Sequence, residues 1–154
     1  MKRWCVKILI LVAGVTLVAP AAASADVSLL QNGNPNSPTN YLLRIFKPYQ
    51  PGGQAGWISF SELEATYGAP AWDEGQVQSC MEQLLTGGWQ LMNWTCQETT
   101  NYGKTFNQIG SNRVPYLTNG RWYRSYGWGW IQESAIGTAW NSGESTDSVQ
   151  GHGY

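Results

Sequence analysis

Few side chains in this chain are of a type and spacing that could do chemistry. A nucleophilic Ser or Cys site needs an ordered histidine to carry the proton. The one histidine among the 154 residues is His152, in a Gly-rich tail. A structural zinc site wants four Cys or His ligands. Beyond that histidine, the candidates number three cysteines, Cys5, Cys80 and Cys96. No Gly-rich phosphate loop and no HExxH helix occurs. No metal and no cofactor is therefore expected. Carboxylates remain. Glu62 and Glu64 are two residues apart and diverge on a helix. Asp73, Glu98 and Glu133 flank the expected sheet elements, and any two that converged to about 5 Å could hydrolyse a glycoside with retention. No complete set of catalytic roles is visible, so the inventory leans away from an enzyme.

Aromatic residues supply the other chemistry. Segment 116–131 reads YLTNGRWYRSYGWGWI. Its Asn119-Gly120 pair suits a type I′ hairpin turn between two strands. In a strand, alternate residues share a face. One face then carries Trp122, Arg124, Tyr126, Trp128 and Trp130, and the other is bare at Gly127 and Gly129. Flat rings in a row can stack on sugar rings while Arg124 and Gln132 bond hydroxyls. The candidate ligand-binding residues are Trp128, Trp130, Tyr126, Arg124 and Trp122. The candidate partner is a polysaccharide or cell-envelope component. The competing reading has the row facing the core, because aliphatic residues are scarce and eight tryptophans lie beyond the leader. By position, Trp122 and Tyr126 are expected to be buried, and Trp128 and Trp130 to be exposed.

The elements that must place this row follow from the rest of the chain. Residues 1–25 read as a signal peptide. Lys2, Arg3 and Lys7 precede an apolar run too short for a confident span, and Ala23-Ser24-Ala25 is a cleavage pattern. The expected location is secreted or periplasmic, with no stable membrane span after processing. Losing three of nine basic residues leaves six against ten acids, a charge of about −4. That balance opposes nucleic-acid binding. Residues 26–39 read as a flexible arm, 40–140 as one globular domain, and 141–154 as a disordered tail. Cys80 and Cys96 are expected to pair, as exported cysteines do.

Within the domain, 41–47 reads as a strand stopped by Pro48. Ser59 and Glu62 have capping-box spacing, which predicts a short helix with Phe60, Leu63 and Tyr67 on one face. Val77, Cys80, Met81, Leu84 and Leu85 have the spacing of a core-facing helix over 73–86. Residues 89–97 read as a strand and 98–115 as a long loop. The resulting fold class is α+β: a small antiparallel sheet with an amphipathic helix packed on one face and one disulfide. The alternative is an all-β barrel with one peripheral helix. The function that fits is a secreted, non-enzymatic binding module with an aromatic surface. The alternatives are a secreted effector or inhibitor acting on a protein, or a small carboxylate-based glycoside hydrolase.

Overall fold

The computed structural model describes residues 25–31, 38–52, 55–66 and 68–151. The expected leader up to residue 24, Tyr67 and His152 lie outside the described residues. Ten strands follow in order: β1 Ala25–Gln31, β2 Pro38–Tyr49, β3 Ile58–Ala65, β4 Trp72–Leu85, β5 Gly88–Leu91, β6 Gln97–Lys104, β7 Phe106–Gly110, β8 Trp122–Glu133, β9 Gly137–Glu144 and β10 Val149–Gln150. A 3₁₀ turn, Asn93–Thr95, separates β5 from β6. The strands form one antiparallel sheet in the order β5-β4-β8-β9-β1-β2-β3-β7, with β6 also on β4 and β10 on β8.

This sheet curls into a half-barrel. Two of its seams are held largely by side chains. β1 meets β9 in register only at Gln31 and Trp140. Beyond that pair, Asn141 donates to the Leu29 carbonyl at 2.8 Å, and Thr146 bonds the Asp26 carboxylate. Between β6 and β7, the Asn101 amide donates to the Phe106 carbonyl at 2.9 Å. The Asn107 amide reaches the carbonyls of Gly75 and Thr99, each at 3.2 Å.

The α+β class is overturned, and the barrel alternative lies nearer. Among the described residues there is no α-helix, amphipathic or peripheral. The stretch expected to be the main helix is β4, the longest strand, laddered to β8 on one edge and to β5 and β6 on the other. Its period is two: Gly75, Val77, Ser79 and Met81 point inward while Gln76 and Gln78 point outward. Two outward residues, Cys80 and Glu82, are covered as well, the first by its disulfide and the second by Arg124. Burial therefore runs unbroken from Ser79 to Glu82 and imitates a helical stripe. The shorter expected helix is β3, whose inner face is Ser59, Ser61 and Leu63. Serines inside and Phe60 outside invert the usual hydropathy signal.

Other expectations shift too. The first strand is present, but β2 runs through Pro48 to Tyr49, with its register broken between Phe46 and Tyr49. Proline is tolerated at such an irregularity. The strand expected over 89–97 is interrupted by the 3₁₀ turn, and the expected long loop holds β6 and β7. Part of the expected arm is β1. Part of the expected disordered tail lies in β9 and β10. Asn119-Gly120 is not a type I′ hairpin. Gly120 has φ 74°, but among the described residues no non-glycine residue, Asn119 included, has positive φ, and β8 turns into β9 instead.

The core has two parts. Leu30, Tyr41, Leu43, Ile45, Leu63, Trp72, Val77, Ile131 and Ala139 form the larger. Met81, Val114, Leu117 and Tyr123 form the smaller. Between them stand the fully buried small residues Ser61, Ser79 and Ser125. Gly127 belongs to this waist for a steric reason: a Cβ there would lie 2.6 Å from Ser61 Oγ and 2.7 Å from Ile45 Cγ1. At Gly129 a Cβ would lie 3.1 Å from Leu43 Cδ1. The glycines thus let the β8 backbone lie close against β2 and β3.

Candidate binding face

The parity of β8 splits as its sequence implies. Tyr123, Ser125, Gly127, Gly129 and Ile131 face the core, and Trp122, Arg124, Tyr126, Trp128 and Trp130 face outward. Strand register then places neighbours on the same outer face, because directly paired residues project together. Trp130 stands between Gln76 on β4 and Trp140 on β9. Trp128 stands between Gln78 and Ser142, and Tyr126 between Cys80 and Glu144. The result is a lane of rings on β8 beside a lane of amides on β4.

Exposure along the lane differs from expectation. Trp122, expected to be buried, is 41% exposed. Tyr126, Trp128 and Trp130 are all half-buried, so no split separates Tyr126 from the two tryptophans. The most open ring nearby is Trp140 on β9, at 53%, which sequence reasoning had left unassigned. Its signal was available: it alternates with Ala139 and Asn141 in a short run, but the run was too polar to be read as a strand. Val27 at 56% and Leu29 at 43% extend the apolar surface onto β1. These two share the outward parity of Gln31, the register partner of Trp140.

Arg124 is held by its neighbours. Its Nε lies 2.6 Å from Glu82 Oε2, its Nη2 3.3 Å from Glu144 Oε1, and its guanidinium carbon 4.5 Å from the Trp89 ring centroid. This clamp spans β5, β4, β8 and β9 and anchors one end of the ring lane. At the other end Thr138 donates to the Gln132 side-chain oxygen at 2.8 Å. By contrast, no hydrogen bond within the described residues engages the amide nitrogens of Gln76 and Gln78. The donors beside the rings are these amides, in place of Arg124.

The Cys80–Cys96 disulfide closes between β4 and the residue following the 3₁₀ turn, with Cα atoms 4.2 Å apart. The expected pairing is present, but it joins two adjacent extended segments and no helix. Thr95 secures the same point, accepting from the Met81 amide at 2.8 Å and donating to the Met92 carbonyl at 2.7 Å. Since Cys80 pairs in register with Tyr126, the disulfide borders the ring lane.

Of the three carboxylates considered for catalysis, two come near one another. Asp73 and Glu133 lie one step beyond the Glu74–Gln132 register pair. Both have structural partners. Glu133 accepts from the amides of Ala135 and Ile136 at 3.1 and 3.2 Å, which closes the β8–β9 turn. Asp73 accepts from Ser134 at 2.7 Å. Burial, then the charges of Glu133 and Asp73, push the Tyr41 hydroxyl above its usual pKa. Glu98 is on β6 beside Gln78, away from both. On the far wall, Glu62 sits above the usual carboxylate range. Desolvation dominates, Arg44 opposes it, and Glu64 reinforces it. Among the described residues no group of three or more His, Cys, Asp or Glu could hold a metal ion. No helix among them is long and apolar enough to cross a membrane. No protein-family model, no curated protein and no solved structure matches this chain.

Proposed function

We propose that this chain is an exported, non-enzymatic binding domain whose outer face docks a protein partner, as an effector or inhibitor would. One observation carries the reading: apolar side chains from three successive strands reach the surface side by side. The half-buried Trp130 on β8 is in register with Trp140 on β9, and Trp140 together with Leu29 and Val27 on β1 is exposed by two-fifths or more. Large contiguous apolar surface marks interaction sites, and protein interfaces combine aromatic centres with aliphatic neighbours. Aliphatic side chains such as Val27 and Leu29 offer nothing for a sugar ring to stack on. The test is a pair of substitutions on that surface, Trp140→Ala and Leu29→Ser. Partner capture should fall at least tenfold while the melting transition stays cooperative. Unaltered capture by both variants would reject the reading.

A neutral glycan is the second reading. The paired lanes favour it, since Gln76 beside Trp130 and Gln78 beside Trp128 combine stacking with hydroxyl bonding. Retention on insoluble polysaccharide separates it from the first.

A further inference from the structure

We propose that the outer face recognises an extended proline-rich segment of a protein, flanked at both ends by lysine or arginine. This rests on the reading of that face as a protein-docking surface and adds the chemistry of what docks. The argument begins with shape. β8 is laddered on both edges, to β4 and to β9, so no peptide can join it by strand addition. A ligand must therefore lie across its side chains. Rings on one strand face repeat about every 6.7 Å. Polyproline II is equally extended, at about 3.1 Å per residue with three residues per turn, so one apolar side recurs about every 9.3 Å along the lane. Proline rings are compact, puckered apolar groups whose C–H faces pack on indoles. A polyproline backbone keeps its carbonyls solvated and has no N–H donors to satisfy. The lane beside Trp128 and Trp130 supplies the complementary donors, the amides of Gln76 and Gln78.

Charge then fixes the ends. The centre of the face, around Trp128, Trp130 and Trp140, has only neutral register partners: Gln76, Gln78, Ser142 and Gln31. Carboxylates surround it. Glu144 is beside Tyr126 at one end, Glu74 beside Gln132 at the other, and Glu98 beside Gln78 on the flank. The cation in this neighbourhood, Arg124, is committed to Glu82 and Glu144. A neutral apolar centre with an acidic surround complements an apolar segment with cationic ends. Cations placed there can also lie over exposed indoles.

The experiment uses the disulfide-bonded chain and three labelled synthetic peptides, each titrated by fluorescence anisotropy. One has about ten prolines between paired arginines, the second has the same prolines between paired glutamates, and the third has Gly and Ser between paired arginines. The first is expected to bind at least about tenfold more tightly than either other, with affinity falling as salt is raised. Trp128→Ala should remove that preference. Glu74→Gln with Glu98→Gln, on the surround, should weaken the first peptide and flatten its salt dependence without touching the fold. Equal binding of the Gly/Ser peptide would reduce the effect to charge alone and overturn the inference. So would the failure of all three at millimolar concentration. If a soluble neutral β-glucan binds instead, and Trp128→Ala abolishes it, this inference and the protein-partner reading both fail, while the face remains a binding site. If Trp140→Ala and Leu29→Ser leave partner capture intact, the docking face itself is refuted.

Discussion

Two walls of the barrel use the same residue types in opposite ways. The β2–β3 wall turns its bulk inward: Tyr41, Leu43, Ile45 and Leu63 are almost fully buried. The β8 wall facing it buries Tyr123 and Ile131 near its ends but turns only Gly127 and Gly129 inward at its middle, with Tyr126, Trp128 and Trp130 outward. Outside, the contrast continues. Phe60 packs edge-on against Phe46 and Tyr49, with centroids 5.7 and 6.5 Å away, and Arg44 pairs with Glu64 at 2.6 Å. Those aromatics and charges satisfy one another. The rings of β8 make no ring-to-ring contact among the described residues, and the register neighbours of Tyr126, Trp128 and Trp130 are two amides, a hydroxyl, a disulfide, one carboxylate and the exposed Trp140. Opposite Gly127 and Gly129 the core is thus filled from the β2–β3 wall, which leaves Tyr126, Trp128 and Trp130 available to the outside.

The comparison can be broken most severely at Gly127. Gly127→Val would drive a branched side chain into Ile45 and Ser61. Overpacking of this kind costs about 3 kcal/mol or more where neither neighbour can yield. The expected outcome is loss of a cooperative melt by circular dichroism. Next is the disulfide that holds the outer face. Cys80→Ser with Cys96→Ser should cost about 3 kcal/mol for a loop spanning 16 positions. A parallel melt of the parent in reducing agent checks it. Third, Leu43→Ala on the inward-bulky wall should cost about 2–5 kcal/mol in a urea titration. Trp128→Ala, on the outward-bulky wall, should cost less than Leu43→Ala, because a half-buried ring loses less transfer energy. If Trp128→Ala proved the costlier, the contrast between the walls would be wrong.

The smallest effect concerns Glu62. Its folded-state pKa is raised, so the folded chain holds that proton more tightly than the unfolded chain does. Stability from this group is therefore highest below the unfolded carboxylate range and is lost as pH rises through the folded value. Glu62→Gln should slightly stabilise the protein at neutral pH, with the gain vanishing in acid. A gain that persisted unchanged in acid would assign the effect to something other than ionisation. Because Glu62 is part exposed, solvent screening keeps this effect the smallest of the set.

What was legible in the sequence was local and periodic. The alternation of β8 is plain in Trp122 to Ile131, and the Cys80–Cys96 pairing followed from cysteine count. The face to which each parity belongs was not legible, since rings fill cores and interfaces equally well. Only the collision awaiting a Cβ at Gly127 decides it. β4 was missed for a related reason. Gln76 and Gln78 already alternate with Val77 and Ser79, but covered outward residues at Cys80 and Glu82 overlaid a helical spacing. That cover comes from Cys96 and Arg124, 16 and 42 positions away. Long-range partners of that kind override local pattern. Trp140 was missed because its strand is laddered to β8 and made largely of Gly, Ala, Asn, Ser and Glu, which carry little strand preference of their own.

The meeting of β1 with β9 at Gln31 and Trp140 has a kinetic consequence. During synthesis β1 finds this neighbour only after more than a hundred further residues have emerged. β4 and β8 likewise wait for one another across four intervening elements. Such high contact order places the folding of the domain in the slow, millisecond-to-second range. Until β8 and β9 arrive, β4 has a bare edge and its apolar inner side in water. Closure of the sheet is therefore a late event that needs nearly the whole chain. A chain truncated after β8 would lack the strand that bridges its two walls, and would expose the edges that aggregate most readily.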